Sequence, residues 1–302
     1  MAAYRAGTVP ATRVISSGQD AAAYAAYRMP ATAAAAAAAL RQATESLPGW
    51  APVSLADLGA GTGGTAWAAV AELPSLQSVS LLDESAEAAV LGRAILSESG
   101  SDALRRAVWR RWRLPAGAGP RPAPLPAVDL ITAGYLLGEL TEQQQRRLVA
   151  LTMAAAPVIV FIEPGSPAGH RRVLAARDQL LAGGFTVAAP CPHQLACPLD
   201  AGGDWCHFAA RLPRSAVQRQ VKDTELGYED EKFSFVAAAR EPAVQPPQAR
   251  IVRRPQQRKH LVSLGLCGLD GVARQQLVAK SEGPRYRAAR KASWGGRWEA
   301  GP

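Results

Sequence analysis

Three of the four cysteines in this 302-residue chain, Cys191, Cys197 and Cys206, fall within sixteen residues, and two of its four histidines, His193 and His207, lie beside them. The stretch reads PCPHQLACPLDAGGDWCHF over residues 190–208. Proline follows each of the first two cysteines, and its fixed φ and missing N–H favour a stiff, non-helical loop. The fourth cysteine, Cys267, comes sixty-one residues after Cys206. A stiff loop that gathers soft sulfur donors suits a metal or a cluster. Unligated cysteine behaves as a small hydrophobe, which explains scattered thiols better than clustered ones. Disulfides need an oxidising compartment, and no motif here signals secretion. Ligation is the reading that accounts for the clustering. Zinc sites commonly pair cysteines as C-x₂₋₄-C, whereas the gaps here are C-x₅-C-x₈-C and a distant fourth. Irregular, loop-borne, four-cysteine ligation suits a cubic iron–sulfur cluster. Spacing alone leaves iron–sulfur and zinc both open.

A second pattern points to a nucleotide-like ligand. The apolar run of residues 53–58 ends in Asp57-Leu58 and passes into Gly59-Ala60-Gly61-Thr62-Gly63-Gly64, then a helical stretch. Glycines let the backbone approach a ligand, and a helix start offers free N–H groups. The spacing D-x-G-x-G-x-G differs from the dinucleotide G-x-G-x-x-G. It looks like motif I of class I methyltransferases, which bind S-adenosylmethionine (SAM). A second strand over residues 78–82 ends in Asp83, placed where a ribose diol is held. Asp57, Gly59, Gly61, Gly63 and Asp83 are the candidate SAM residues. At the fourth strand's tip, TAGYLLGE over residues 132–139 carries an aromatic ring but no amide, no adjacent acid and no prolines to hold an amine. No cysteine stands there for cytosine-C5 chemistry. The catalytic residues are therefore unknown, and methyl transfer itself is open.

The elements that must position these groups alternate. Residues 20–47 predict one long alanine-rich helix with a first turn or kink at Pro30. Strands at residues 53–58, 78–82, 128–132, 158–162, 185–188 and 233–238 are separated by helical segments, with residues 104–112 open between strand and helix and a Pro/Gly loop over 114–127. Such repetition predicts a parallel, doubly wound α/β sheet with ligands at the strands' C-terminal edge. The glycine turn, Asp83, residues 133–135, Glu163 and the cysteine loop would share that edge, placing the metal site and the SAM pocket side by side. Beyond residue 241 the composition shifts to basic β-like runs around Cys267-Gly268-Leu269-Asp270-Gly271, read as a hairpin whose tip delivers Cys267. The expected organisation is an N-terminal helical element (1–50), a methyltransferase-like domain (51–240) with the cysteine loop (190–208) inserted, and a basic C-terminal extension (241–302).

Charge supports a polyanionic partner. The net charge is +9, and residues 241–302 hold twelve Lys or Arg against four Asp or Glu, leaving the rest almost neutral. Arg253, Arg254, Arg258, Lys259, Arg290 and Lys291 are the candidate RNA contacts, with Trp294 and Trp298 available either to stack on bases or to pack the chain's end. No long, strongly apolar run predicts a membrane span, and DNA is not expected. The first nineteen residues contain Arg5 and Arg13 and no acid, faintly like a transit peptide and equally like an ordinary N-terminus.

Together, YRMPAT (27–32), DLGAGTG (57–63), AGYLLGEL (133–140), IEPGSPAG (162–169), APCPHQLACPL (189–199), WCHF (205–208), YEDEKFSF (228–235), the late cysteine and the basic tryptophan-containing end resemble one family. It is the methyltransferase-like family of the mitochondrial ribosomal small subunit (Rsm twenty-two, methyltransferase-like protein seventeen), which has bacterial members. The resemblance implies a class I SAM-dependent methyltransferase fold, a [4Fe–4S] cluster on Cys191, Cys197, Cys206 and Cys267, and association with the small ribosomal subunit or its rRNA. It implies a cytoplasmic protein in a bacterium and a mitochondrial matrix protein in a eukaryote.

Overall fold

Two helices open the computed structural model, which describes residues 15, 17–115, 122–200, 203–221, 224–241 and 243–299. The basic start, with Arg5 and Arg13, and the middle of the Pro/Gly loop, residues 116–121, lie outside the described residues. Helix α1 (Gly18–Tyr27) is capped by Ser17, and α2 (Met29–Thr44) carries Pro30 in its first turn, where a missing N–H costs no helical bond. The single helix expected over residues 20–47 is thus two, divided at Arg28. Ala31, Ala35, Ala36, Ala39, Leu40 and Ala43 form the buried stripe of α2, and their small side chains let its backbone lie close on the sheet.

The alternation follows: β1 (Ser54–Leu58), α3 (Gly64–Glu72), β2 (Ser78–Asp83), α4 (Ala86–Ser97), the short α5 (Asp102–Arg105), β3 (Val108–Arg111), β4 (Leu130–Gly134), α6 (Glu142–Ala155), β5 (Val158–Pro164), α7 (Pro167–Ala182) and β6 (Thr186–Ala189). Residues 104–112 divide between the end of α5 and β3. After the cysteine loop come β7 (Phe208–Pro213), α8 (Ala216–Val221) and the twelve-residue β8 (Tyr228–Ala239). The strands form one sheet in the order β3-β2-β1-β4-β5-β8-β6, with β7 also on β8. The pairs among β1 to β5 are parallel, while β8 runs antiparallel to β5, β6 and β7. The wholly parallel sheet expected from the alternation is therefore mixed. Strand β8 is reached from β7 without a crossover helix on the sheet face, so it returns alongside its neighbour instead of running parallel to it. Reversal of strand order at β1/β4 and a lone antiparallel strand between β5 and β6 give the class I methyltransferase arrangement.

Two apolar layers flank the sheet. Leu55, Leu81, Val160 and Phe235 face the layer of α2 and α3, whereas Ile131, Ile159, Phe161 and Val236 face the layer of α6 and α7. The last segment builds a separate five-stranded antiparallel sheet from β9 (Ala249–Ile251), β10 (Gln256–Arg258), β11 (Leu261–Gly268), β12 (Ala273–Ala279) and, after α9 (Pro284–Lys291), β13 (Arg297–Trp298). Its own core contains Ile251, Val262, Leu264, Val278 and Tyr286. The expected hairpin is β11–β12, set within this larger sheet.

Candidate functional site

The turn after β1 takes the conformation its glycines allow. Gly59, Gly61 and Gly63 all have positive φ, at 65°, 54° and 91°, a region that other L-residues enter only at a cost. The Gly59 and Ala60 amides donate to the Leu82 carbonyl at 2.8 and 3.2 Å, tying the turn to β2. Asp83 Oδ2 accepts from the Gly61 amide and Oδ1 from the Ser85 amide, each at 2.8 Å. The acid expected to hold a ribose thus also braces the turn from below. Asp57 is fully buried and accepts a 2.8 Å hydrogen bond from Thr132. Burial, with the Asp83 charge adding to it, pushes the Asp57 carboxyl up to about 7 against the Thr132 and Ala66 donors. Gly59, Gly61, Asp83, Trp112 and Tyr135 line a cavity of about 230 Å³. Leu136 and Tyr24 lie against this turn: a Cβ on Gly59 would meet Leu136 at 2.9 Å and one on Gly61 would meet Tyr24 at 3.6 Å.

The strand-four tip lines the glycine cavity with Gly134, Tyr135 and Leu136 and is braced from behind. Tyr135, buried and at φ 61°, donates from its hydroxyl to Glu231 at 2.9 Å. Arg28, from the junction of α1 and α2, holds the same carboxylate at 2.9 and 3.2 Å and lies 5.4 Å over the Tyr135 ring. Burial and the Glu231 charge hold the Tyr135 phenol well above its usual range. Glu163 is buried against Arg172 at 2.7 Å and does not line the glycine cavity.

The cysteines converge. Cys191, Cys197, Cys206 and Cys267 line one cavity of about 30 Å³, together with His170 and Arg177. Four sulfur donors around one small space form a ligand set for a compact inorganic group. The topology explains the loop. Strands β6 and β7 pair with successive stretches of the same edge of β8, and residues 190–207 leave that line between them. Cys191 follows β6, and Cys206 comes two residues before β7, its carbonyl accepting from Ser234 of β8 at 2.7 Å. Cys267 arrives from the other sheet. It sits inside β11, paired with Arg250 of β9 and Ala273 of β12, and not at the hairpin tip. The tip, at Gly271, instead approaches Leu195 of the cysteine loop. The cysteine cavity and the glycine cavity share the sheet's C-terminal edge but no lining residue, and β5 and β8 separate their strands. The shared edge expected from the strand ends is present, but the two cavities have separate linings.

The donor set is soft and poorly solvated. Burial raises the Cys191 thiol, with Arg177 opposing it; burial and the neighbouring sulfurs hold Cys206 well above the thiol range and push Cys267 to about 12. A bound cation reverses that balance by stabilising thiolates. His193 adds a donor: its Nδ1 accepts from the Leu195 amide at 3.1 Å, so Nε2 carries the proton and donates to the Cys267 sulfur at 3.3 Å. Among the described residues no three histidine, cysteine or carboxylate side chains close into a single-ion site.

The basic residues separate into two kinds. Arg254, Arg258, Lys259, Arg290 and Lys291 are exposed. Arg253 is not free for RNA: it ion-pairs with Asp204 and donates to the Trp205 carbonyl, fastening the second sheet to the cysteine loop. The tryptophans pack instead of stacking on a ligand. Trp298 is buried and donates to Gln276 at 3.1 Å, and Trp294 meets the edge of His207 at 5.1 Å between ring centres. A second basic surface escaped the sequence reading. Arg110 and Arg111 on the edge strand β3, and Arg113 after it, are exposed; the run WRRWR at residues 109–113 was its signal. Arg177 and Arg250 were also missed, since nothing in the spacing marks an arginine as buried.

Several known proteins resemble this chain. It is 32% identical over 291 residues to the human ribosome assembly protein METTL17, mitochondrial, covering 90% of this chain. It is 24% identical over 213 residues to the Rsm22-cox11 tandem protein 2, mitochondrial, of Schizosaccharomyces pombe, covering 55% of this chain. The chain spans 61% of the length of the human relative and 28% of the fission-yeast one. Among solved structures, human N-acetylserotonin methyltransferase in complex with SAM matches 80% of this chain and 65% of its own at 13% identity and a TM-score of 0.43. Precorrin-6y C5,15-methyltransferase from Geobacter metallireducens GS-15 matches 67% of this chain and 86% of its own, also at 13% identity and 0.43. Residues 18–299 match the family described as mitochondrial small ribosomal subunit Rsm22, and the chain belongs to that family.

Proposed function

We propose that the chain is a methyltransferase-fold assembly factor that binds the small ribosomal subunit or its rRNA, carries a [4Fe–4S] cluster on Cys191, Cys197, Cys206 and Cys267, and binds SAM at the glycine turn. The observation that carries this is the convergence of four cysteines from two sheets on one small cavity. A cube spreads its four ligands further apart than a single ion does, and the irregular C-x₅-C-x₈-C spacing with a distant fourth cysteine suits it better than the paired cysteines common in zinc sites. When bound, the cluster supplies a covalent cross-link and, if it cycles, one electron. The chain's own residues do the rest. The cysteine loop and β11 hold the second sheet against the body, and the exposed Arg254, Arg258, Lys259, Arg290 and Lys291 offer a phosphate-binding surface, extended by Arg110, Arg111 and Arg113. The human relative's name, a ribosome assembly protein of mitochondria, supports this class of partner. The compartment is then the mitochondrial matrix in a eukaryote and the cytoplasm in a bacterium; among the described residues no helix is long and apolar enough to cross a membrane.

An active rRNA methyltransferase is the second reading, and the glycine turn favours it. Against it, the Tyr135 hydroxyl at the strand tip is engaged by Glu231, which Arg28 also holds, and no amide or acid stands beside the ring in sequence to hold an acceptor amine. Anaerobic purification with iron and sulfide analysis tests the first reading. About four iron and four sulfide per chain are expected, with both lost in Cys197→Ser along with co-sedimentation with small subunits. One zinc per chain, or a cluster-free variant that still binds subunits normally, would overturn it. A modified nucleotide that disappears with Gly59→Ala would restore the methyltransferase reading.

A further inference from the structure

Two arginines beside the cysteine cavity are buried as few arginines are. Arg250 is fully buried and Arg177 is 2% exposed. Each is held by carbonyls of the cysteine loop. Arg250 Nε donates to Pro190 at 3.1 Å, directly before Cys191, and its Nη1 to Gly295 at 2.9 Å. Arg177 Nη2 donates to His193 at 3.3 Å and Leu195 at 2.6 Å, between Cys191 and Cys197. Arg250 is also the cross-strand partner of Cys267. The acids that pair with them are outside the buried region: the Glu45 side chain is 40% exposed and that of Asp178 is 71% exposed, against 0% and 3% for the arginines. Arg250 Nη2 and Arg177 Nε are buried with no hydrogen-bond partner.

Two buried cations with water-screened counter-ions and orphaned donors are costly unless another negative charge lies nearby. Four thiols supply none. Four thiolates on a [4Fe–4S]²⁺ core, or on Zn²⁺, leave two negative charges in either case. We infer that Arg177 and Arg250 are the built-in counter-charges of a metallated cysteine site, one on the loop side and one on the strand side, offsetting a negative charge that the loaded site carries and the empty one does not. The inference rests on the metal reading but not on the choice of metal. The arginines act through the ligand sulfurs and are positioning residues. Removing either charge leaves the site with an uncompensated negative charge, which weakens its hold on metal and, for a cluster, makes reduction harder.

The test uses the full chain purified anaerobically, with Arg177→Gln, Arg250→Gln and the charge-keeping Arg177→Lys. Each Gln variant is expected to lose iron or zinc to a chelator several-fold faster than wild type, and an iron-loaded variant to show a more negative midpoint potential; Arg177→Lys is expected to recover most of both. Folded Gln variants with wild-type chelation rates and potential would overturn the inference. If the Gln variants do not fold, Arg177→Met in the metal-free Cys197→Ser background decides. There it is expected to raise the melting temperature by removing an unbalanced charge, and a fall would count against the inference. A wild-type protein with neither iron nor zinc under any loading condition would instead defeat the metal reading on which the inference stands.

Discussion

His193 and Asp57 show how single side chains here combine two tasks. The His193 ring is oriented by the Leu195 amide so that its remaining N–H points at the Cys267 sulfur. Partners of this kind around a metal ligand change metal affinity by roughly 10–100-fold when removed. His193→Ala should therefore speed metal loss to a chelator by about that factor, while His193→Gln, which keeps a donor, should lose less. Equal retention in both variants would mean that the hydrogen bond contributes nothing. Asp57 lies beneath the glycine turn with its carboxyl raised from an ordinary 3.8 to about 7. A raised carboxyl binds its proton more tightly in the folded state, so its contribution favours folding at low pH and fades as pH rises from about 4 through about 7. Asp57→Asn keeps an acceptor for Thr132 and cannot ionise. Urea unfolding of the metal-free protein should show wild-type stability falling relative to Asp57→Asn across that window. Parallel pH profiles would show that the Asp57 carboxyl is not raised in the fold.

At the level of elements, the β1–turn–α3 unit was readable because its demands are local. Three glycines at alternate positions ask for positive φ, and Asp83 stands where the next strand ends. Gly59→Ala places a Cβ at 2.9 Å from Leu136 in a left-handed conformation. It should cost about 1–2 kcal/mol in the unfolding free energy and abolish SAM binding by equilibrium dialysis. Retained binding would place the ligand elsewhere. Less local features were not readable. The direction of β8 depends on its partners β5, β6 and β7, and its sequence, EKFSFVAAA at residues 231–239, is as apolar as a parallel strand's. Strand β7 was hidden because FAARLP (208–213) follows the last loop cysteine with no turn signal between them. The break between α1 and α2 was half visible: Pro30 marked it, but only packing of Arg28 against Glu231 shows why the chain separates there.

For the whole molecule, the sequence showed which cysteines come together but not which arginines are exposed. The cysteines cluster in the chain and converge in space, because a stiff loop between two collinear strands leaves them little choice. Charge, by contrast, was legible only as a total. Of the twelve basic residues after position 240, Arg250 is fully buried beside the cysteine loop and Arg253 is committed to Asp204. Neighbours Arg254, Arg258 and Lys259 remain exposed, on or beside the edge strand β10. This division yields contrasting variants. Arg258→Glu with Lys259→Glu should weaken binding of small-subunit rRNA and reduce the slope of log K against log salt by about one to two, because phosphate contacts release counter-ions while the fold is untouched. Arg253→Gln should act in the opposite way, loosening the second sheet and speeding metal loss while leaving the salt slope of the metal-loaded protein unchanged. Filter binding across a salt series, read beside melting curves, separates the two effects. A charge reversal at β10 that left the slope intact would move the RNA surface to the other exposed arginines, Arg110, Arg111 and Arg113, on the far edge of the main sheet.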